Sequence, residues 1–250
     1  MTGELADLGL HVGLALDAAR LLRVQREVAT VLQTSLLPPV PAVPGLSLAA
    51  RYLPATHGLE VGGDWYDAFD GGPGSSGLTL VVGDASGHDI AAAARMADLR
   101  NLLRAHAVDR DEPPSALVGR PERTAEALGL DTTGTCVVGS LRRPPPGRSD
   151  WELLWTSAGH LPPVLLGAGG TRLLETTADL MLGVDARCPR HDHLLVLVPG
   201  DVLVLYSDGL VEVRGVPLEE RIELLRSTAR RPPGRPAGSA CRAAAALPGR

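Results

Sequence analysis

Three aspartates hold the chemical interest of this sequence. Each stands in a glycine-containing turn beside an expected strand: Asp64 in VGGDWYD (residues 61–67), Asp84 in VVGDASGHD (81–89) and Asp208 in LVLYSDG (203–209). Strand ends can bring such residues to one edge of a sheet although they lie far apart in the chain, and hard cations such as Mg²⁺ and Mn²⁺ prefer carboxylate oxygens. The pattern therefore points to a carboxylate metal site and to phosphate chemistry. Taken singly, an aspartate next to glycine at a strand end is more often a solvated turn residue. The weight rests on the set. Gly62, Gly63, Gly83 and Gly209 permit tight turns and close approach of main chain to an ion.

Composition removes several other chemistries. The chain has 250 residues, a formal net charge of −5 and no lysine, so all 24 basic side chains are arginines and a lysine nucleophile or Schiff base is excluded. A mildly acidic chain with 3% aromatic residues lacks the basic stripe of a nucleic-acid binder. Cys136, Cys188 and Cys241 form no CxxC pair, which speaks against a zinc site or a disulfide framework and suits a reducing cytoplasm. No long apolar run or signal-peptide pattern is present, so a membrane span is not expected. Ser86, Ser157 and Ser207 lack nucleophile-elbow spacing, and residues 72–77 lack the lysine and following helix of a P-loop.

The elements that must position the aspartates follow from periodicity. Strands are expected at 46–53, 78–84, 135–141, 151–157, 163–167, 193–198 and 201–209. A helix is expected at 90–108, with Asp89 as N-cap and Ala92, Met96, Leu99 and Leu103 on one face, and another at 218–230. Consecutive strands with helices grouped after them imply an α+β layered sandwich. Ahead of it, Leu10, Leu14, Leu21, Val24, Val28 and Val31 fall on the a and d positions of a heptad frame. Residues 1–37 thus read as a helical stalk that pairs two copies through residues 5–37, with packing on its own domain as the alternative. The Pro-rich residues 38–45 read as a semi-rigid linker and 46–250 as the main domain, whose last 15 or so residues look weakly structured.

In order, VGGDWYD, GDASGH opening an Ala-rich helix, TSAGHLPP (156–163), LMLGV (180–184) and PGDVLVLYSDGLVEVR (199–214) resemble the PPM, or protein phosphatase 2C-like, metal-dependent phosphatases. Within them the similarity is to the bacterial branch of stage II sporulation protein E and the sigma-B regulator phosphatases, and it covers residues 46 to about 225. The resemblance implies a four-layer α/β/β/α sandwich and a two-metal serine/threonine phosphatase. Its ions would be Mn²⁺ or Mg²⁺, and its substrate a phosphorylated regulatory protein such as an anti-sigma-factor antagonist. By the same resemblance Asp84 bridges both ions, Ala85 supplies a backbone carbonyl, Asp64 binds one ion and Asp208 the other. By the resemblance, residues 1–37 correspond to the end of a GAF-type sensor domain, its last helix.

Asp67 reads either as a group orienting a metal-bound water or as a turn cap. His88 reads as a helix-start surface residue or, alternatively, a proton donor to a leaving serine oxygen. His160 is implied to be a loop residue near a packing layer. Two departures stand out: Met181 replaces a proline common before Leu-Gly, and no aspartate follows Asp208, so the family's closing strand with its Asp-Asp pair is expected to be missing. A pseudophosphatase that binds a partner without turnover is the rival reading.

Overall fold

The computed structural model describes residues 11–21, 23–24, 38–53, 63–71, 77–87, 90–176, 179–230 and 241–248. The N-terminal helix α1 is helical over 11–21 and 23–24. It is followed in chain order by β1 (Leu46–Leu53), β2 (Asp64–Asp70), β3 (Gly77–Ala85), α2 (Ile90–Asp109), α3 (Pro114–Leu128), β4 (Gly134–Arg142), β5 (Trp151–Ala158), β6 (Val164–Gly167), β7 (Gly170–Leu173), β8 (His193–Leu197), β9 (Val202–Tyr206), the 3₁₀ turn Asp208–Leu210, α4 (Leu218–Thr228) and β10 (Cys241–Pro248).

These strands make two five-stranded sheets. One runs β2-β3-β4-β5-β8 and is antiparallel throughout; the other runs β1-β10-β9-β6-β7. Alternation along the strands sorts side chains between layers. Leu78, Leu80, Val82, Val137, Trp151, Leu153 and Trp155 point from the first sheet toward Leu165, Leu203 and Leu205 of the second. On the outer face of the first sheet Trp65, Val81, Cys136 and Val138 meet Met96, Leu99 and Leu103 of α2 and Leu117 and Val118 of α3. Ile222 and Leu225 of α4 cover the second sheet. The result is the expected α/β/β/α sandwich.

The Pro-rich segment contributes to that core: Val43 is buried there, and Gly45 lies against the Trp151 ring. Besides the short β7, two longer elements come unannounced by sequence. In β2 the aspartates interrupt the apolar pattern, yet the alternation is intact, with Trp65 and Phe69 toward the helices and Tyr66 and Ala68 toward the facing sheet. In α3 two prolines, with Pro113 at the N-cap, hide a helix that begins with Pro114 at its first turn and ends on Gly129 at φ +68°. The tail also differs from expectation. Cys241–Pro248 forms β10, which inserts between β1 and β9 and runs parallel to both, so the slot expected to be empty is filled. Backbone pairing suffices for this, because an Ala-rich strand can complete a ladder without offering large side chains. It brings no carboxylate.

Candidate metal centre

Asp64 begins β2 and Asp84 is next to last in β3, and the antiparallel register sets them directly opposite each other. Asp208 arrives from the other sheet, as the first residue of the 3₁₀ turn that follows β9. One oxygen from each of the three carboxylates lies within 4.8 Å of the other two. Asp64 is buried and the other two are partly exposed, so the group sits at the edge of the sandwich with a way out to solvent. Three carboxylates this close repel one another unless protons or a cation intervene, and an all-oxygen set of this kind suits a hard divalent cation.

The backbone beside Asp84 is held in a glycine cradle. A Cβ on Gly63 would fall 1.9 Å from the Ala85 carbonyl oxygen, and one on Gly134 would fall 2.6 Å from the Asp84 carbonyl oxygen. The Ala85 N–H donates to the Gly63 carbonyl at 3.0 Å, and the Ser86 N–H to that of Thr133 at 2.9 Å. Side chains at 63 or 134 would push the main chain out of this position. The arrangement fits a site in which a backbone carbonyl joins carboxylates around an ion.

Neighbouring groups reinforce the edge. Tyr52 of β1 has its phenol held protonated well above its ordinary range, first by burial and then by the charges of Asp64 and Asp84. Arg95 of α2 donates to the Ser86 carbonyl at 2.6 Å, which ties the loop after Ala85 to the helix. The LMLGV segment packs alongside: Leu182 and Gly134 form an antiparallel bridge, and Gly183, at φ +78°, leaves no room for a side chain against Thr133. A buried ion pair holds that segment, with Arg190 donating to Glu122 at 2.7 Å and Glu122 accepting from the Gly183 N–H at 3.0 Å. Next to it opens a cleft of about 530 Å³ whose rim includes Glu126, Asp131, Thr133, Asp185 and Arg187.

Asp67 stands apart from the cluster. Three residues along β2 from Asp64, it points to the opposite face, where it is buried and accepts from Arg104 at 2.7 Å and from Arg100 at 3.4 Å. Neither metal-water orientation nor a turn cap describes it; it ties β2 to α2. Asp201 is also remote, since it precedes β9 at the end away from Asp208 and accepts from the Val198 N–H at 3.1 Å in the turn after β8. His88 and Asp89 lie outside the described residues. Cys136 is buried with its thiol pushed up to about 12 by desolvation, which keeps it inert.

His160 has a larger part than its sequence context implied. Its Nε2 lies 3.0 Å from the Tyr206 carbonyl and must donate to it; its Nδ1 lies 2.8 Å from the Thr135 hydroxyl and accepts from it. Desolvation of the ring lowers its pKa to about 4, so the imidazole is neutral at physiological pH. Tyr52, Arg95 and Thr135 carried no sequence signal, because their importance depends on which strands are neighbours.

The architecture is that of solved PP2C-type phosphatase domains. The SiaA PP2C domain of Pseudomonas aeruginosa superposes with a TM-score of 0.63 at 17% identity, over 87% of this chain and 86% of that one. The PP2C domain of SpoIIE from Bacillus subtilis, solved with a fragment of its regulatory domain, gives 0.57 at 14% identity, over 71% and 51%. A Mycobacterium tuberculosis protein solved as its RsbU and RsbW domains gives 0.59 at 32% identity, over 72% and 49%. The chain spans about half the length of these last two. A model of the stage II sporulation protein E (SpoIIE) family matches residues 74–247, well over half of the sequence, and the chain belongs to that family.

Proposed function

We propose that the chain is a serine/threonine protein phosphatase that hydrolyses phosphoserine or phosphothreonine on a regulatory protein of the anti-sigma-factor antagonist type. The single observation that carries this reading is the convergence of Asp64, Asp84 and Asp208, from two sheets, to within 4.8 Å. In this reading Asp84 and the adjacent Ala85 carbonyl would help hold two divalent ions, Mn²⁺ or Mg²⁺, with Asp64 serving one and Asp208 the other. Bound there, the ions would acidify a water and neutralise phosphoryl oxygens, so no side-chain nucleophile is needed. The chain's own residues supply the fixed geometry. Gly63 and Gly134 let the Asp84–Ala85 backbone approach, and burial of Asp64 limits its motion.

The substrate class rests on family membership and on the mycobacterial neighbour, which carries RsbU and RsbW domains in one protein. A cytoplasmic setting and pairing through residues 5–37 complete the proposal; no helix among the described residues is long and apolar enough to cross a membrane. The test is phosphate release from a phosphoserine protein with Mn²⁺ and with chelator. The reading expects release only with metal, and loss of it in Asp208→Asn. Equal release in chelator would overturn it.

A further inference from the structure

The carboxylate cluster is assembled from two sheets that share no strand. Asp64 and Asp84 are fixed to each other by the β2–β3 register, but Asp208 hangs on the turn after β9 in the facing sheet. Something must set the distance between the halves. The partner of Asp84 across the β3–β4 ladder is Thr135, and the residue two before Asp208 is Tyr206. The His160 side chain joins these two positions, accepting from the Thr135 hydroxyl at 2.8 Å and donating to the Tyr206 carbonyl at 3.0 Å.

We propose that His160 is a positioning residue for the metal centre: its imidazole clasps the two sheets at the site edge and sets the Asp208 turn against Asp84. The inference rests on the metal-site reading for its consequence and on the two ring hydrogen bonds for its geometry. Three observations support a built clasp. The main chain of His160 is anchored, with its N–H donating to Ser157 Oγ at 3.2 Å and the Ser157 hydroxyl donating back to the His160 carbonyl at 3.3 Å. Gly159 bridges to Cys136 of β4 and, at φ +66°, sits so close to Met181 that a Cβ would meet it at 3.0 Å. Both ring nitrogens are engaged with opposite roles, which fixes the ring plane and the tautomer. The imidazole does not itself belong to the three-carboxylate cluster, so its effect on an ion acts through the Asp208 turn.

The experiment compares the full chain with His160→Ala, His160→Gln and Thr135→Val. Hydrogen exchange is followed in metal-free protein, and Mn²⁺ titration calorimetry is run alongside. A glutamine amide can both donate to the Tyr206 carbonyl and accept from Thr135. In His160→Ala the amides of Leu210 and Val211, which close the 3₁₀ turn, should exchange about tenfold faster while β3 and β4 keep the parent rates. Thr135→Val should give a smaller change in the same place, and His160→Gln should restore protection. Mn²⁺ affinity should fall by about tenfold in His160→Ala and recover in His160→Gln. If His160→Ala does not fold, Thr135→Val and His160→Gln carry the comparison. Parent-like exchange in the turn of His160→Ala, or of Thr135→Val where His160→Ala does not fold, overturns the clasp, as does equal acceleration of every strand, which would mean general destabilisation only. A loosened turn in a protein whose parent takes up no Mn²⁺ keeps the clasp and refutes the metal reading.

Discussion

At the scale of single residues, face and partner decide what an aspartate does. Asp64 and Asp67 lie three apart on one strand and so serve opposite layers, one at the carboxylate cluster and the other in a buried pairing with Arg100 and Arg104. Asp67→Asn should therefore lower stability by about 2 kcal/mol, the scale of a charge-assisted hydrogen bond lost between a buried carboxylate and arginines that partly reach solvent, and leave Mn²⁺ affinity unchanged. Urea denaturation and calorimetry check the two halves. His160 makes a pH prediction whose sign follows from its folded pKa of about 4, below the ordinary 6.5. Above pH 6.5 both folded and unfolded chains hold it neutral. Between 6.5 and 4 only the unfolded chain takes up the proton, so stability falls with pH, by roughly 2 kcal/mol once partial exposure is allowed for. The groups facing the ring, Thr135, Ser157 and the Tyr206 carbonyl, are uncharged in this range. The urea midpoint of the metal-free protein should decline across that window, and His160→Gln should remove its share of the decline.

At the scale of elements, the closing strand matters most. β10 fills the slot between β1 and β9 with backbone pairing but offers no carboxylate to an ion beside Asp208. Water would then have to complete the shell of an ion held there, and the site should bind weakly. Replacing residues 241–248 with a family-type strand carrying its Asp-Asp pair should raise Mn²⁺-dependent turnover by orders of magnitude from a slow but metal-dependent level, as measured by phosphate release from a phosphoserine protein. Robust turnover in the chain as it stands would mean another carboxylate completes the site; Asp201 is excluded by its place at the far end of β9, which leaves Glu212 on the turn after Asp208. Regular periodicity made β3, β4, β5, β9 and α2 legible in the sequence, and the three aspartates were legible as a set. What escaped did so for physical reasons. β2 carries polar residues on both of its faces, α3 has Pro114 in its first turn and Pro121 in its interior, a pattern that reads as a break, and β10 has an alanine run of low strand propensity. Cross-strand partners such as Thr135, and the two-sided role of His160, depend on the register of distant segments.

At the scale of the whole molecule, α1 leaves Leu14 and Leu21 each 61% exposed, along with Val24 on the same heptad seam. The remaining seam residues, Leu10, Val28 and Val31, lie outside the described residues. A second copy of the stalk would cover the seam. Sedimentation should find a dimer for the full chain and a monomer for a chain beginning at Pro38, which keeps the buried Val43; the same monomeric mass for both would refute pairing through residues 5–37. The central claim, that one carboxylate cluster joining two sheets holds the ions, is tested most directly by calorimetric Mn²⁺ titration of the full chain beside Asp84→Asn and Asp67→Asn. The account predicts binding by the parent, unchanged affinity in Asp67→Asn, and a loss of about tenfold or more in Asp84→Asn, where the shared carboxylate charge is gone. Equal affinities in Asp84→Asn and Asp67→Asn would contradict it.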